Sequence, residues 1–425
     1  MSTSSTLKRS GVAVVAALTL GAVPFAASGT ATAAAPHDGG AWKGGWATSP
    51  QKPTAPFGPN WSPAGFSNHT VRQVVRVTTG GTKARIELSN RYGTTPLKIT
   101  GATVALTDEG ASVKAGTVRE LTFGKGRSVT VPAGGTLRSD GVPFKVGALQ
   151  SVTVTLYLAD PTGPATFHNF SSATSYRADG DHRADRDGAA FKETSDSWYF
   201  LTGVEVSGGH SARRDGIVTF GDSITDGVGS GLNADNRYPD ELAERFAAAG
   251  KPRSVVNHGI GGNEVTNDTT WAGEKGIERF KKDVLTEPGV RTVIVLEGIN
   301  DIGGSGPAFP GGPTPEVSVE QLIEGHRSLI RQAHAKGIKV VGATLTPIGG
   351  SFYDDAEKVN EAKRNAVNEW IRTSGEYDAV VDFDRAVADP EHPDRILPAY
   401  DSGDHLHPGD AGYRAMAEAL DLDRL

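Results

Sequence analysis

The period of the apolar residues changes once along this chain, near Asp215, and that change limits the folds open to it. Before it, from about Trp42 to about Ser211, short runs alternate apolar and polar residues. Val71–Val77 and Ala84–Ser89 read as half-buried strands on either side of a Gly80-Gly81 turn. Further strand-like runs occur at Ser128–Val131 and Ser151–Leu158, with Pro161-Thr162-Gly163 as punctuation. No amphipathic helical pattern interrupts them, so this half is expected to be an all-β sandwich. After Asp215, apolar runs at Ile217–Phe220, Ser254–Asn257, Thr292–Leu296, Lys339–Ala343 and Ala379–Phe383 alternate with helical patterns at 238–249, 318–336, 355–374 and about 409–420. That alternation predicts an α/β fold, a parallel sheet with helices on both faces, whose ligands lie outside the carboxyl ends of the strands.

The first residues read as an address. Lys8 and Arg9 precede an apolar run from Gly11 to Ala27, and Ala31-Thr32-Ala33 has the A-x-A form of a cleavage site. This is the layout of a secretory signal peptide. Pro24 interrupts the run, which is too short to anchor a chain in a membrane, and no later run reaches the roughly 18 apolar residues of a span. The expected organisation is a signal peptide (1–33), a short spacer (34–41), a β-sandwich domain (42–210) and an α/β domain (211–425). The product would be a secreted, extracellular monomer without a stable membrane anchor. Among 425 residues there are 43 Lys+Arg against 50 Asp+Glu, a net charge of −7. That balance argues against a general nucleic-acid binder, which needs a basic face. The absence of Cys excludes disulfides, thiolate metal sites and a cysteine nucleophile.

Chemistry is therefore sought just after the strands. Gly221-Asp222-Ser223 places a serine in a tight turn, where a nucleophile can be held exposed or where a serine can simply cap a helix. Asn257-His258-Gly259-Ile260-Gly261-Gly262 bares the backbone, so that the N–H of Gly262 can approach a ligand closely. In Gly298-Ile299-Asn300-Asp301, the Asn300 carboxamide can donate to a developing oxyanion, or cap a turn. Asp404-His405-Leu406-His407-Pro408 precedes the last helix. A serine needs a base, His suits that task, and a nearby Asp can hold the imidazole in the right tautomer. A metal reading of Asp404, His405 and His407 remains open, but no further convergent His or Glu cluster supports it, and no cofactor is expected. The acidic loop 179–188 lacks the acid at position 183 that a calcium loop needs, and is read as solvated. Gly229–Ala234 fits a loose dinucleotide pattern, but stands away from the strand and lacks the partner acid, so a flexible loop is expected there.

Together the four segments resemble blocks I, II, III and V of the SGNH (GDSL) hydrolases, in the family's order and over roughly residues 215–425. The resemblance implies a flavodoxin-like sheet and hydrolysis of carboxylic esters through an acyl-enzyme. It further implies Ser223 as nucleophile, His407 as base and Asp404 as its orienting carboxylate. The oxyanion hole would comprise the Ser223 and Gly262 backbone N–H groups and the Asn300 side chain. His405 falls on a variable position of the family motif and is not carried over. Gly45–Pro50 and Leu88–Gly93 resemble the N-terminal β-domain of secreted two-domain SGNH proteins from actinobacteria. The small secreted actinobacterial lipases of the superfamily are disulfide-bonded, which this chain cannot be. Short-acyl or carbohydrate-linked esters of acetyl or feruloyl type are therefore the expected substrates, possibly on polysaccharide, with lipase or phospholipase activity as the alternative. A catalytically silent polysaccharide-binding protein is the alternative of another class, and the joint presence of Ser223, Asp404 and His407 argues against it. Trp46, Trp61, Tyr92, Trp198 and Tyr199 could stack on sugars but are expected to pack in the core or between domains. The join between Val206 and Ile217 has no long Pro/Ser-rich stretch, which predicts that the halves pack together and that the β half walls the site.

Overall fold

A computed structural model describes residues 41–208, 215–306, 309 and 311–425. The leader pattern and most of the join between the halves lie outside these residues.

The first half is built from antiparallel strands in two main sheets, one of five strands and one of six. His69–Arg76, Ser151–Leu158 and Gly101–Leu106 are neighbours in the larger sheet; Gly81–Ser89 and Leu201–Ser207 pair in the smaller. Alternate residues of both sheets (Val71, Val75, Val152, Val154 and Leu156 from one, Ala84, Ile86, Leu88, Val204 and Val206 from the other) fill one shared core. This is the sandwich expected of half-buried alternating strands. Trp46, Trp61, Trp198 and Tyr199 are all buried within that core, so none of them offers a ring to a sugar. The loop 179–188 is also more than a solvated turn. It wraps the buried Arg72 guanidinium, which donates to the carbonyls of Ala111, His182, Asp185 and Asp187 and stacks on Phe191. A buried cation must be satisfied locally, and backbone carbonyls supply that here.

The second half contains a five-stranded parallel sheet: β1 (Gly216–Gly221), β2 (Val255–Gly259), β3 (Val290–Leu296), β4 (Lys339–Ala343) and β5 (Ala379–Val381), in the order β2-β1-β3-β4-β5. This is the flavodoxin-like order, with its switch point beside β1. The chief helices are α1 (Ser223–Asp226), α2 (Tyr238–Ala248), α3 (Gly276–Asp283), α4 (Ile299–Gly303), α5 (Val319–His334), α6 (Val359–Thr373), α7 (Phe383–Val387) and α8 (Asp410–Glu418). Helix α5 starts in a full capping box, with Ser318 and Gln321 exchanging bonds across its first turn. The fifth strand ends earlier than its apolar run suggests, because Asp382 leaves the sheet to cap α7. Among the described residues no helix is long and apolar enough to cross a membrane.

Residues of the two halves belong to one compact unit. Buried polar groups join them: Ser49 Oγ donates to Asp283 at 2.9 Å, Arg91 pairs with Asp283 at 2.7 Å, and Gln51 Nε2 donates to the Trp271 carbonyl at 3.0 Å.

Candidate active site

The carboxyl ends of β1, β2 and β3 converge on one spot. The chain leaves β1 through Gly221, where a Cβ would overlap the Leu296 carbonyl and Thr225, so only glycine lets the strand turn there. Asp222 caps α1, its Oδ1 accepting the Ile224 N–H at 2.9 Å. Ser223 is then the first helical residue, and its N–H has no intrahelical acceptor.

His407 Nε2 lies 2.8 Å from Ser223 Oγ, and His407 Nδ1 lies 2.6 Å from Asp404 Oδ2. The Asp404 carboxylate can only accept, so Nδ1 carries the proton and Nε2 is free to receive that of the serine. Asp404 is itself fixed by the Leu406 and His407 backbone N–H groups, at 3.0 and 2.8 Å. Burial opposes its charge, but the hydrogen bonds and charge of His407 outweigh it and hold the carboxyl well below the usual carboxylate range. His405 is turned away: it is exposed, adopts φ +63°, and bonds Asp401 at 2.5 Å. Among the described residues no group of three His, Asp or Glu is placed to hold a metal ion.

Gly262 adopts φ +77°, and a Cβ there would overlap the Trp271 ring. Its N–H makes no hydrogen bond among the described residues. Asn300, at the start of α4, donates from Nδ2 to the Asn263 carbonyl at 2.9 Å, and its Oδ1 accepts the Tyr353 hydroxyl at 2.6 Å. These two bonds fix the carboxamide's orientation and leave the second Nδ2 hydrogen unengaged.

Two groups absent from the sequence reading hold this frame. Tyr353 lies in the loop before α6 and orients Asn300. Arg279, 1% exposed on α3, donates to the carbonyls of Gly221 and His258 (2.7 Å each) and to Asn263 Oδ1 at 2.6 Å. It thus ties the ends of β1 and β2 to the Gly262 loop. The loop 229–234, expected to be flexible, is pinned: Gly231 N and Asn236 Nδ2 donate to Asp410, Tyr413 to the Val228 carbonyl, and Asn233 N to the Ser172 carbonyl.

A ring of buried acids underlies the site. Burial pushes Asp222 up to about 7, Asp301 up to about 6 and Glu264 up to about 7, the last with help from the Asp301 charge; burial and the Asp222 charge push Glu297 well up too.

From the β half, His168 reaches under α1. Its Nε2 lies 3.0 Å from Asp226 Oδ1, its Nδ1 lies 2.8 Å from the Ser49 carbonyl, and Trp198 stacks on its face. Asp226 Oδ2 in turn accepts the Gly261 N–H at 2.9 Å. Both ring nitrogens of His168 thus face oxygen atoms, one on each side of the seam between the halves.

The family model described as GDSL-like Lipase/Acylhydrolase matches residues 219–415. No curated protein matches the chain. Similar solved structures include an acetyl-xylooligosaccharide esterase variant from Geobacillus stearmophilus, 22% identical, covering 49% of this chain and 92% of its own, with a TM-score of 0.37. A GDSL-like lipase from Bacteroides thetaiotaomicron VPI-5482 is 19% identical, covers 48% of this chain and 85% of its own, and has a TM-score of 0.36. A member of the lipolytic protein G-D-S-L family from Veillonella parvula DSM 2008 is 21% identical, with 48% and 94% coverage and a TM-score of 0.35. The span that matches the GDSL-like lipase/acylhydrolase family model, residues 219–415, contains the four strand-end segments and the Ser223–His407 contact.

Proposed function

We propose that the protein is a secreted serine esterase acting on carboxylic esters of short acyl groups, through an acyl-enzyme. The observation that carries this reading is the continuous chain Ser223 Oγ–His407–Asp404, with links of 2.8 and 2.6 Å. Ser223 Oγ attacks the ester carbonyl as His407 Nε2 takes its proton. The carbonyl oxygen becomes an oxyanion, held by the N–H groups of Ser223 and Gly262 and the free N–H of Asn300 Nδ2. His407 then gives its proton to the departing alkoxide. Water, deprotonated by the same nitrogen, releases the acid and restores Ser223. Asp404 stays ionised throughout and steadies the imidazolium.

The leader pattern of residues 1–33 supports export, and the change of period near Asp215 supports a β domain followed by a catalytic domain. N-terminal sequencing of the exported protein should begin near residue 34.

The reading is tested by labelling with a fluorophosphonate and mapping the adduct, beside hydrolysis of p-nitrophenyl acetate. Ser223 should carry the label, and Ser223→Ala should lower kcat by about three orders of magnitude or more with the fold intact. A label on another serine, or an active Ser223→Ala enzyme, rejects it.

A further inference from the structure

Beside the candidate site lies a groove of about 420 Å³, walled on one side by the β half and on the other by the loop after α1. Its β-half residues include Phe57, Asn60, Asn169, Phe170 and Asp196; Val228–Ser230 and Leu232 face them. The groove abuts the machinery at both ends. Val228 N donates to the Ser223 carbonyl at 3.0 Å, and Gly229 stands against Ser402 and the Pro408 carbonyl, in the His407 loop. The Phe170 ring lies against Gly261, and Phe57 packs edge-on against Trp271 at 5.0 Å, the ring that covers Gly262.

The wall combines a bare ring with unspent polar groups. Phe57 is 48% exposed, although it is held by both Phe170 and Trp271, each at 5.0 Å. An exposed aromatic held from behind is a platform and not a stray surface residue. The Asn169 carboxamide and the Asp196 carboxylate make no hydrogen bond or ion pair among the described residues. No Lys or Arg lines the groove. A phosphate or carboxylate ligand would meet an acid and no cation there. A long alkyl chain would strand the amide and the carboxylate against hydrocarbon. A neutral sugar ring satisfies every feature, its C–H face on Phe57 and its hydroxyls on Asn169 and Asp196.

We propose that this groove binds the alcohol part of the substrate, and that this part is a neutral carbohydrate. The alcohol side is assigned because Gly229 touches the loop bearing His407, which protonates the leaving oxygen. The proposal rests on the esterase reading above and names its substrate class. Phe57, Asn169 and Asp196, all from the β half, would then set selectivity.

Two measurements test it. The first compares kcat/KM on acetylated xylo-oligosaccharide with that on p-nitrophenyl acetate and on methyl ferulate. Phe57→Ala and Asp196→Asn should lower the saccharide value about tenfold more than either other value, chiefly through KM. Asp196→Asn is an exposed, isosteric change and keeps the comparison valid should Phe57→Ala fold poorly. The second is calorimetric titration of Ser223→Ala with the same saccharide, which reads binding without turnover. Binding weakened by adding Phe57→Ala or Asp196→Asn supports the proposal even if the esterase reading fails the labelling experiment. Absence of saccharide binding, a uniform loss across the three substrates, or a loss confined to methyl ferulate overturns it, the last reassigning the groove to an aromatic acyl group.

Discussion

Asn300 and His407 show how far the orientation of a candidate catalytic group depends on the side chain behind it. The Asn300 carboxamide can flip about its last torsion unless something distinguishes its two ends. Tyr353 does so by donating to Oδ1 while Nδ2 donates to the Asn263 carbonyl. Tyr353→Phe should therefore lower kcat roughly tenfold with little change in KM, a smaller loss than deleting an oxyanion donor outright. An unchanged kcat would show that the Asn263 contact suffices. The two histidines separate in the same way. His407→Ala should cost about three orders of magnitude in kcat, whereas the outward-facing His405→Ala should stay within about threefold. The reverse ranking would overturn the assignment of the base. That Ser223, Gly262, Asn300, Asp404 and His407 stand at strand ends or a helix start was legible in the sequence, because each sits within a short motif there. Tyr353 was not, since it meets Asn300 from 53 residues away in a loop with no period. Phe57 is not legible for a related reason: exposure is not written in composition, and Trp46, Trp61 and Trp198, larger rings of the same half, are buried.

Among the elements, α3 was the least visible and is among the most consequential. It has eight residues, and the buried face of Gly276–Asp283 carries Arg279 and Asp283 beside Phe280. Ile277 and Phe280 are its large apolar side chains, too few over so short a run to mark an apolar stripe. The strands β1–β4 and the helices α2, α5, α6 and α8 were legible within a few residues, because their apolar faces are continuous. The cost of hiding charge in α3 sets a prediction. Arg279 lies 3.4 Å from Asp283 and 3.3 Å from Glu297, and replacing it with Met removes the cation from Glu297 and leaves Asp283 with Arg91 alone. Arg279→Met should destabilise the fold by about 3–5 kcal/mol, as expected for breaking a buried pair. Urea unfolding measures this directly, and a loss below about 1 kcal/mol would mean that the acids simply take up protons.

Across the whole molecule, the buried acids under the site should shape stability against pH. Asp222 and Glu264, at about 7, and Asp301, at about 6, sit above the unfolded values of about 3.9 for Asp and 4.3 for Glu. The folded state therefore holds protons that the unfolded state has released. Their contribution is fully present below about pH 4 and is lost as pH rises to about 7. Asp283 and Asp404 work the other way. Burial opposes their charge, but Arg91 and Arg279 beside the first, and His407 beside the second, hold both below the usual range. The stability they contribute is present above about pH 4 and lost as pH falls further. Tm should thus be highest near pH 5 and fall by several degrees towards pH 8, with a shallower fall in Asp222→Asn. A Tm that is flat or rising over that interval contradicts this ordering of the acids. The contacts between the halves carry a related expectation. A chain truncated to begin near Ser211 would lose Arg91 and Ser49 from Asp283, and His168 from Asp226. It should fail to fold cooperatively, as circular dichroism on heating would report; a sharp transition near that of the full chain would show the α/β half to be self-sufficient.

The bridge from His168 through Asp226 to Gly261 also bears on how such proteins can diversify. Recombination exchanges modules freely when each is complete within its own boundaries. Here a residue of the β half completes the hydrogen bonding of the turn that follows β2. A foreign β half lacking a histidine at that place would leave the buried Oδ1 of Asp226 without its partner, one hydrogen bond from Gly261. The seam should therefore be inherited as a unit, and a change of partner half should be rarer than point change within either half.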